Sequence, residues 1–129
     1  MNDVKHSVLL VEDEEPMRLA LSGALQQAGY IVYTGNDGEE GLKLALEKHP
    51  DIILTDLKMP KMGGLDMIRQ LRNDDWGKKA EVIILTNISD VNALESAMSE
   101  GAFFYMVKSD SSMADVLEKV KARLASKTV

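Results

Sequence analysis

The sequence predicts a single α/β domain in which a five-stranded parallel sheet is covered by helices on both faces. Short aliphatic runs at residues 7–11, 30–34, 51–55, 81–86 and 103–107 have the length and composition of strands. Segments with apolar residues at spacings of three and four follow these runs, so strands and amphipathic helices alternate. Four of the runs are almost continuously apolar, which is typical of parallel strands that are buried on both faces and joined by right-handed crossovers.

Each predicted helix carries an apolar stripe that can pack against the sheet. The stripes comprise Met17, Leu21, Ala24, Leu25 and Ala28 in the first helix; Leu42, Ala45 and Leu46 in the second; Leu65, Ile68 and Leu71 in the third; Val91, Leu94 and Met98 in the fourth; and Met113, Val116, Leu117, Val120 and Leu124 in the fifth.

Local signals mark the ends of these helices. Pro16 suits the first turn of the first helix and places Glu15 outside the helical conformation. Gly29 fits the left-handed conformation that often follows a helix. The other cap candidates are Asn36 paired with Glu39 for the second helix, Ser89 or Asp90 for the fourth, and Ser111 or Ser112 for the fifth.

The composition excludes several classes of protein. The chain has 129 residues, 45% of them hydrophobic, which suffices for one domain with a full core. It has no cysteine, so disulfides, thiolate metal sites and thiol nucleophiles are excluded. A net charge of −6 gives no general attraction for nucleic acid or anionic membranes. The chain has neither a signal peptide pattern nor an apolar run near the roughly 18 residues of a membrane span. We therefore expect a cytoplasmic protein.

Polar and charged residues follow four of the predicted strands. Glu12 and Asp13 follow the first, Asp56 the third, Thr86 ends the fourth, and Lys108 follows the fifth. In an open α/β sheet, ligands bind beyond the carboxyl ends of the strands. If these strands are neighbours, three carboxylates, a hydroxyl and an ammonium meet in one crevice.

This combination of groups suits phosphoryl transfer. Carboxylates that lie close together repel each other unless a cation balances them. Oxygen ligands favour Mg²⁺, which retains waters and accepts a phosphate oxygen as a further ligand. Asp56 can then attack phosphorus as a nucleophile, while Thr86 and Lys108 share the charge on the transferring oxygens. Each residue alone has a common structural role, and only their shared position at strand ends indicates function.

Four segments resemble the receiver domain of two-component response regulators, in particular the chemotaxis-regulator type. They are LLVEDEEPMR, DIILTDLKMPKMGGLDMI, VIILTN and GAFFYMVKS, in this order. The resemblance covers about residues 6–124 and implies the flavodoxin-like receiver fold, with five helices around a sheet of strand order 2-1-3-4-5. We expect residues 1–129 to form one receiver domain without an output domain.

The resemblance also implies a role for each site residue. Asp56 is the expected phosphoacceptor. The expected Mg²⁺ ligands are Asp13, Asp56 and the backbone carbonyl of Lys58, with Glu12 acting through water. Two residues depart from the usual pattern of the family. Asn87 stands where a small residue is usual, and Ser109 stands where proline is usual.

Two residues are expected to change position on phosphorylation. Thr86 would close onto the phosphoryl group, and Lys108 would form an ion pair with it. Tyr105 matches the rotating aromatic residue of the family. The face of the fourth helix, fifth strand and fifth helix would respond. The expected partners are a sensor histidine kinase or histidine phosphotransfer protein and a downstream protein target. Neither direct nucleic acid binding nor membrane binding is expected.

The chain is expected to be a signalling phosphoprotein, not an enzyme with a separate substrate, although it catalyses its own phosphorylation and dephosphorylation. A metal-dependent aspartyl phosphatase would need a second acid at position 58, where this chain has Lys58. A flavin-binding domain would need a glycine- and hydroxyl-rich loop after the first strand, where this chain has acids. The remaining alternative is a non-phosphorylated interaction domain of the same fold.

Overall fold

A five-stranded parallel sheet in the order β2-β1-β3-β4-β5 forms the centre of the molecule. The computed structural model describes residues 5–87, 91–102 and 104–127. The order agrees with the order expected from the resemblance. The strands are β1 (Ser7–Val11), β2 (Ile31–Gly35), β3 (Ile52–Thr55), β4 (Val82–Thr86) and β5 (Phe104–Val107).

Helices cover both faces of the sheet and alternate with the strands along the chain. They are α1 (Glu15–Gln27), α2 (Gly38–Lys48), α3 (Gly64–Leu71), α4 (Val91–Ser99) and α5 (Met113–Lys127), with short 3₁₀ turns at Gly77–Lys79 and Lys108–Asp110. No helix in the described ranges is long and apolar enough to cross a membrane.

The alternation of side chains along the strands produces two separate hydrophobic cores. In β1, Val8 and Leu10 face the layer of α1 and α5, whereas Leu9 and Val11 face the layer of α2, α3 and α4. Strand residues in both cores are almost completely buried. Burying a large aliphatic side chain contributes about 1.5–3 kcal/mol, so the two cores supply the main driving force for this arrangement.

The strand register brings the carboxyl ends of four strands to one edge. Val11 is level with Thr55, and Thr55 is level with Ile84. At the next pair, Thr86 is level with Val107. Because all four strands run in the same direction, the residues that follow them emerge side by side. The prediction of a shared crevice is therefore correct for the backbone.

Several predicted boundaries are confirmed. Gly29 has φ +100°, in the left-handed region. Ser112 caps α5, since its hydroxyl accepts from the backbone N–H of Asp115 at 3.1 Å. In addition, the Lys108–Ser109 peptide bond is trans, like the other peptide bonds of the described residues, and the chain makes a 3₁₀ turn there. The candidates Ser89 and Asp90 for the cap of α4 lie outside the described residues.

Two predicted caps are wrong by one residue. Glu15 is the first residue of α1 and Pro16 the second, so Glu15 is helical. The cap of α2 is Asp37, whose side chain accepts from the backbone N–H of Glu40 at 2.9 Å. Glu40 in turn accepts from the N–H of Asn36 at 3.0 Å, so the reciprocal pair expected for Asn36 is displaced along the chain.

Three residues assigned to apolar stripes are exposed. Leu46 follows the buried Ala45 and is rotated away from the core. Val91 is exposed at the first position of α4, whose buried residues are Leu94 and Ala97. Ala28 is the C-cap residue directly after α1, and it is also exposed. Fewer residues of each stripe face the sheet than the spacing predicted, because a residue near the end of a helix need not face the sheet.

Candidate functional site

A cavity of about 230 Å³ opens at the carboxyl edge of the sheet. Loops after β1, β3 and β4 surround it. It is lined by Asp13, Glu14, Asp56, Lys58, Thr86 and Asn87. All six side chains are polar or charged, and all except Glu14 were singled out in the sequence, either at strand ends or by the resemblance. The cavity therefore coincides with the predicted crevice.

Asp56 lies in the wall of this cavity and is 8% exposed. Its Oδ1 accepts from the backbone N–H of Leu57 at 2.7 Å, and its Oδ2 accepts from the ammonium of Lys108 at 2.8 Å. Its own N–H donates to the carbonyl of Val11, which fixes the residue beside β1. A side chain at Gly64 would collide with the carbonyl oxygen of Asp56, so α3 begins directly against this residue. The Asp56 carboxylate is therefore held in one orientation.

Lys108 reaches the same carboxylate from β5. Its side chain is 5% exposed, and its Nζ lies 2.6 Å from Glu12 Oε1, 2.8 Å from Asp56 Oδ2 and 3.1 Å from Glu14 Oε1. Burial alone would lower the pKa of Lys108, but the hydrogen bonds to Asp56, Glu12 and Glu14 raise it above its ordinary value. The ammonium is therefore charged across the physiological pH range.

Glu12 is the most buried acid of the site, at 2% exposure. Burial raises its pKa, and this effect is only partly offset by the contact with Lys108 and by a hydrogen bond from the backbone N–H of Glu14. Arg18 also donates to the Glu12 carbonyl, at 3.0 Å. The first turn of α1 thereby fixes the position of the loop that carries the acids.

The acids form a cluster with the donor set of a hard cation. Carboxylate oxygens of Glu12, Asp13 and Asp56 lie within 4.8 Å of one another. Glu14 adds a fourth carboxylate. The four carboxylates outnumber the ammonium groups of Lys108 and Lys58, so the residues around the cavity carry excess negative charge. All of these ligands are oxygen atoms, and such sets favour Mg²⁺. The residues present fit a magnesium ion.

The two predicted switch residues occupy different positions. Thr86 is 5% exposed, lines the cavity and donates its hydroxyl hydrogen bond to the carbonyl of Asn87 at 3.3 Å. Tyr105 is 40% exposed and lies against the ring of Phe104, with the ring centroids 6.3 Å apart. Tyr105 does not line the cavity. The structure thus brings Thr86, but not the Tyr105 ring, to the wall around Asp56.

Glu14 is the residue of this site that the sequence analysis did not single out. It belongs to the run of four acids after the first strand, where an exposed side chain is the common outcome. In the structure its carboxylate contacts the ammonium of Lys108. The only signal in the sequence was the length of the acidic run.

Comparison with known proteins matches residues 8–121 to a family model described as the response regulator receiver domain. A probable chemotaxis protein CheY of Rhizobium etli is 36% identical over 121 residues, which cover 93% of this chain and 90% of that protein. A probable transcriptional regulator ycf27 of Guillardia theta is 36% identical over 106 residues, or 82% of this chain.

A solved structure of the chemotaxis response regulator CheY4 of Vibrio cholerae has the same fold, with a TM-score of 0.85 and 28% sequence identity. The match covers 93% of this chain and 99% of that chain. The lengths of the relatives differ. The chain spans 41% of the ycf27 protein of Guillardia theta but nearly the whole of the Rhizobium etli protein.

Proposed function

This chain belongs to the response regulator receiver domain family, whose members are signalling proteins, and we propose that it receives a phosphoryl group on Asp56. The observation that carries the proposal is the environment of the Asp56 carboxylate. It lies just after β3, in the wall of a cavity, where it contacts the ammonium of Lys108 and lies close to the carboxylates of Glu12 and Asp13. A nucleophile, a fixed positive charge and a set of cation ligands thus meet at one point.

The proposed phosphodonor is a phosphohistidine of a sensor histidine kinase or a histidine phosphotransfer protein. A carboxylate oxygen of Asp56 forms a bond to phosphorus while the bond between phosphorus and the imidazole nitrogen breaks. The electron pair of the broken bond stays with the imidazole. Later attack of water on phosphorus releases inorganic phosphate and restores the Asp56 carboxylate. The chain therefore promotes reactions of its own side chain and acts as a signalling phosphoprotein.

Receiver domains bind Mg²⁺ at an acidic pocket, and this chain has a matching acidic cluster. We propose that Asp13 and Asp56 would hold the ion through their carboxylates, Lys58 through its backbone carbonyl, and Glu12 through a water molecule. A bound Mg²⁺ supplies positive charge that offsets the repulsion between these carboxylates and an anionic phosphodonor. Lys108 supplies a further positive charge from the end of β5.

The proposed response to phosphorylation begins with Lys108 and Thr86. A phosphoryl group adds negative charge and strong acceptor oxygens next to the Lys108 ammonium. The Thr86 hydroxyl would exchange the Asn87 carbonyl for a phosphoryl oxygen, and Tyr105 would turn inward as Thr86 moves. A state with these contacts gains population, and the face of α4, β5 and α5 changes for a downstream protein target. We propose that the protein acts in the cytoplasm without binding nucleic acid or membranes directly.

Labelling by acetyl phosphate tests the assignment of Asp56. We expect intact-mass spectrometry to detect one phosphoryl group on the wild type when Mg²⁺ is present and none when it is chelated. Asp56→Asn should remove this label because the amide is a poor nucleophile. Asp66→Asn, on the exposed part of α3, is the matched control and should label like the wild type.

Two results would contradict the proposal. Undiminished labelling of Asp56→Asn would place the phosphoryl group on another residue. A wild type that acquires no label at any donor concentration would favour a non-phosphorylated interaction domain instead.

A further inference from the structure

The ammonium of Lys108 has as many carboxylate partners as it has hydrogen atoms to donate. A lysine ammonium has three N–H donors and no acceptor. Glu12, Asp56 and Glu14 lie within 3.1 Å of Lys108 Nζ and engage all three donors. A phosphoryl oxygen that approaches Lys108 therefore competes with these carboxylates for the N–H groups of the ammonium.

Of the three carboxylates, Glu14 is best placed to leave. Its side chain is 61% exposed, whereas the side chains of Glu12 and Asp56 are 2% and 10% exposed. Its distance from Lys108 is also the longest of the three. A released Glu14 carboxylate is hydrated again by solvent, whereas the buried Glu12 carboxylate would be left without a compensating charge. Asp56 is itself the residue that binds the phosphoryl group. The cost of release is thus smallest for Glu14.

Glu14 also opposes an incoming anion before contact. It lines the same cavity as Asp56, so its negative charge lies where a phosphodonor has to enter. Repulsion at the entrance and occupation of a Lys108 donor act in the same direction. Both make binding of a phosphoryl group less favourable.

We propose that Glu14 competes with the phosphoryl group for Lys108. Its ion pair with the Lys108 ammonium limits the affinity of the site for phosphoryl groups. The inference rests on the proposed function, because it assumes that the phosphoryl group binds between Asp56 and Lys108. It adds a regulatory contact to that site, made by a residue in the loop after β1.

The chain offers a matched control in the next residue. Glu15 carries the same charge on the first turn of α1, and its carboxylate lies 3.7 Å from Arg18 instead of contacting Lys108. Glu15→Gln removes one negative charge near the site and leaves the Lys108 contacts intact. Glu14→Gln removes the same charge together with the ion pair to Lys108. A difference between the two variants therefore reports on the Lys108 contact.

The experiment uses beryllofluoride, a mimic of the phosphoryl group, and measures its dissociation constant by calorimetry in excess Mg²⁺. A second measurement gives the second-order rate constant for labelling by acetyl phosphate. We expect Glu14→Gln to bind beryllofluoride about twofold to fivefold more tightly than the wild type, the effect of one exposed ion pair, and to label faster. Glu15→Gln should match the wild type. Thermal denaturation of both variants shows that they remain folded.

The outcomes separate this inference from the proposed function. If the wild type takes up label but Glu14→Gln and Glu15→Gln bind beryllofluoride equally, the Lys108 contact has no competitive role and the inference fails alone. Weaker binding by Glu14→Gln would also overturn it, because Glu14 would then hold Lys108 in place for the phosphoryl group. A wild type that neither labels nor binds beryllofluoride would overturn the proposed function itself.

Discussion

Arg72 shows how one side chain can organise several loops. Its guanidinium donates to the carbonyls of Glu100, Gly77, Ala80 and Gly101 at distances of 2.6 to 3.0 Å. These carbonyls belong to the turn before β4 and to the segment between α4 and β5. The planar group with five donors suits such a position, because it can donate to several carbonyls at once. Arg72 therefore ties the end of α3 to two neighbouring connections.

We expect Arg72→Ala to lower the free energy of unfolding by about 1–3 kcal/mol, because it removes several charged hydrogen bonds to backbone carbonyls. Urea denaturation measures this change. Arg69→Ala is the control, since Arg69 is half-exposed and makes surface ion pairs with Asp66 and Glu100. Such pairs contribute about 1 kcal/mol or less. Equal losses from the two variants would contradict the role assigned to Arg72.

Asp13 should contribute to Mg²⁺ binding because its carboxylate is the exposed member of the acidic cluster. We expect Asp13→Ala to weaken Mg²⁺ binding by on the order of tenfold or more, since few carboxylate ligands are available to replace it. Calorimetric titration with MgCl₂ measures the affinity. Glu15→Ala removes a nearby charge outside the cluster and should change the affinity much less. Unchanged Mg²⁺ affinity in Asp13→Ala would rule out the ligand role.

At the scale of elements, α2 shows why its cap was misplaced by one residue. Asn36 and Asp37 are both good caps, and Glu39 and Glu40 can both complete a capping box. The contact that distinguishes them is distant in sequence, because the N–H of Gly38 donates to the carbonyl of Met62 at 2.8 Å. A side chain at Gly38 would collide with that carbonyl. The loop after β3 therefore decides where α2 begins.

The cap of α5 is local and testable. Ser112 and Asp115 form a reciprocal pair, in which each side chain accepts from the backbone N–H of the other. We expect Ser112→Ala to lower the free energy of unfolding by about 0.5–2 kcal/mol, as loss of a helix cap does. Ser111→Ala is the control, because Ser111 precedes the cap. If chemical denaturation shows the same stability for Ser112→Ala and the wild type, the hydrogen bonds of this cap contribute nothing.

At the scale of the whole molecule, the site and the proposed output face are connected through β4 and β5. Thr86 and Val107 are level in adjacent strands, and the exposed Tyr105 lies two residues before Val107 in β5. Contact of Thr86 with a phosphoryl group would therefore be transmitted across one strand pair. On the proposed function, this strand pair would link the phosphoryl site to the surface formed by α4, β5 and α5.

We expect beryllofluoride to shift the NMR signals of this surface and to reduce the solvent exposure of Tyr105, which is 40% exposed without a phosphoryl group. The reason is that the mimic binds more favourably to the state in which Thr86 contacts it. Asp56→Asn should show no such shifts. Signal changes confined to residues of the cavity, with Tyr105 unaffected, would exclude a population shift of this face.

The sequence by itself determined the alternation of strands and helices and the position of the site at the ends of the strands. Both follow from local patterns, because apolar periodicity reports which side chains are buried and parallel strands present their carboxyl ends together. Glu12, Asp56, Thr86 and Lys108 could therefore be assigned to one edge, although the strand order itself came from a resemblance.

Only the tertiary structure decided which side chains contact each other at that edge and elsewhere. Glu14 and Lys108 are 94 residues apart in the chain, and Arg72 meets the Gly101 carbonyl across 29 residues. No local pattern encodes such pairs, since they depend on how loops from different strands converge after the sheet has formed. The start of α2, misplaced by one residue, and the contact of Glu14 with Lys108 share this cause. In both, neighbouring residues of similar chemistry are distinguished by distant partners.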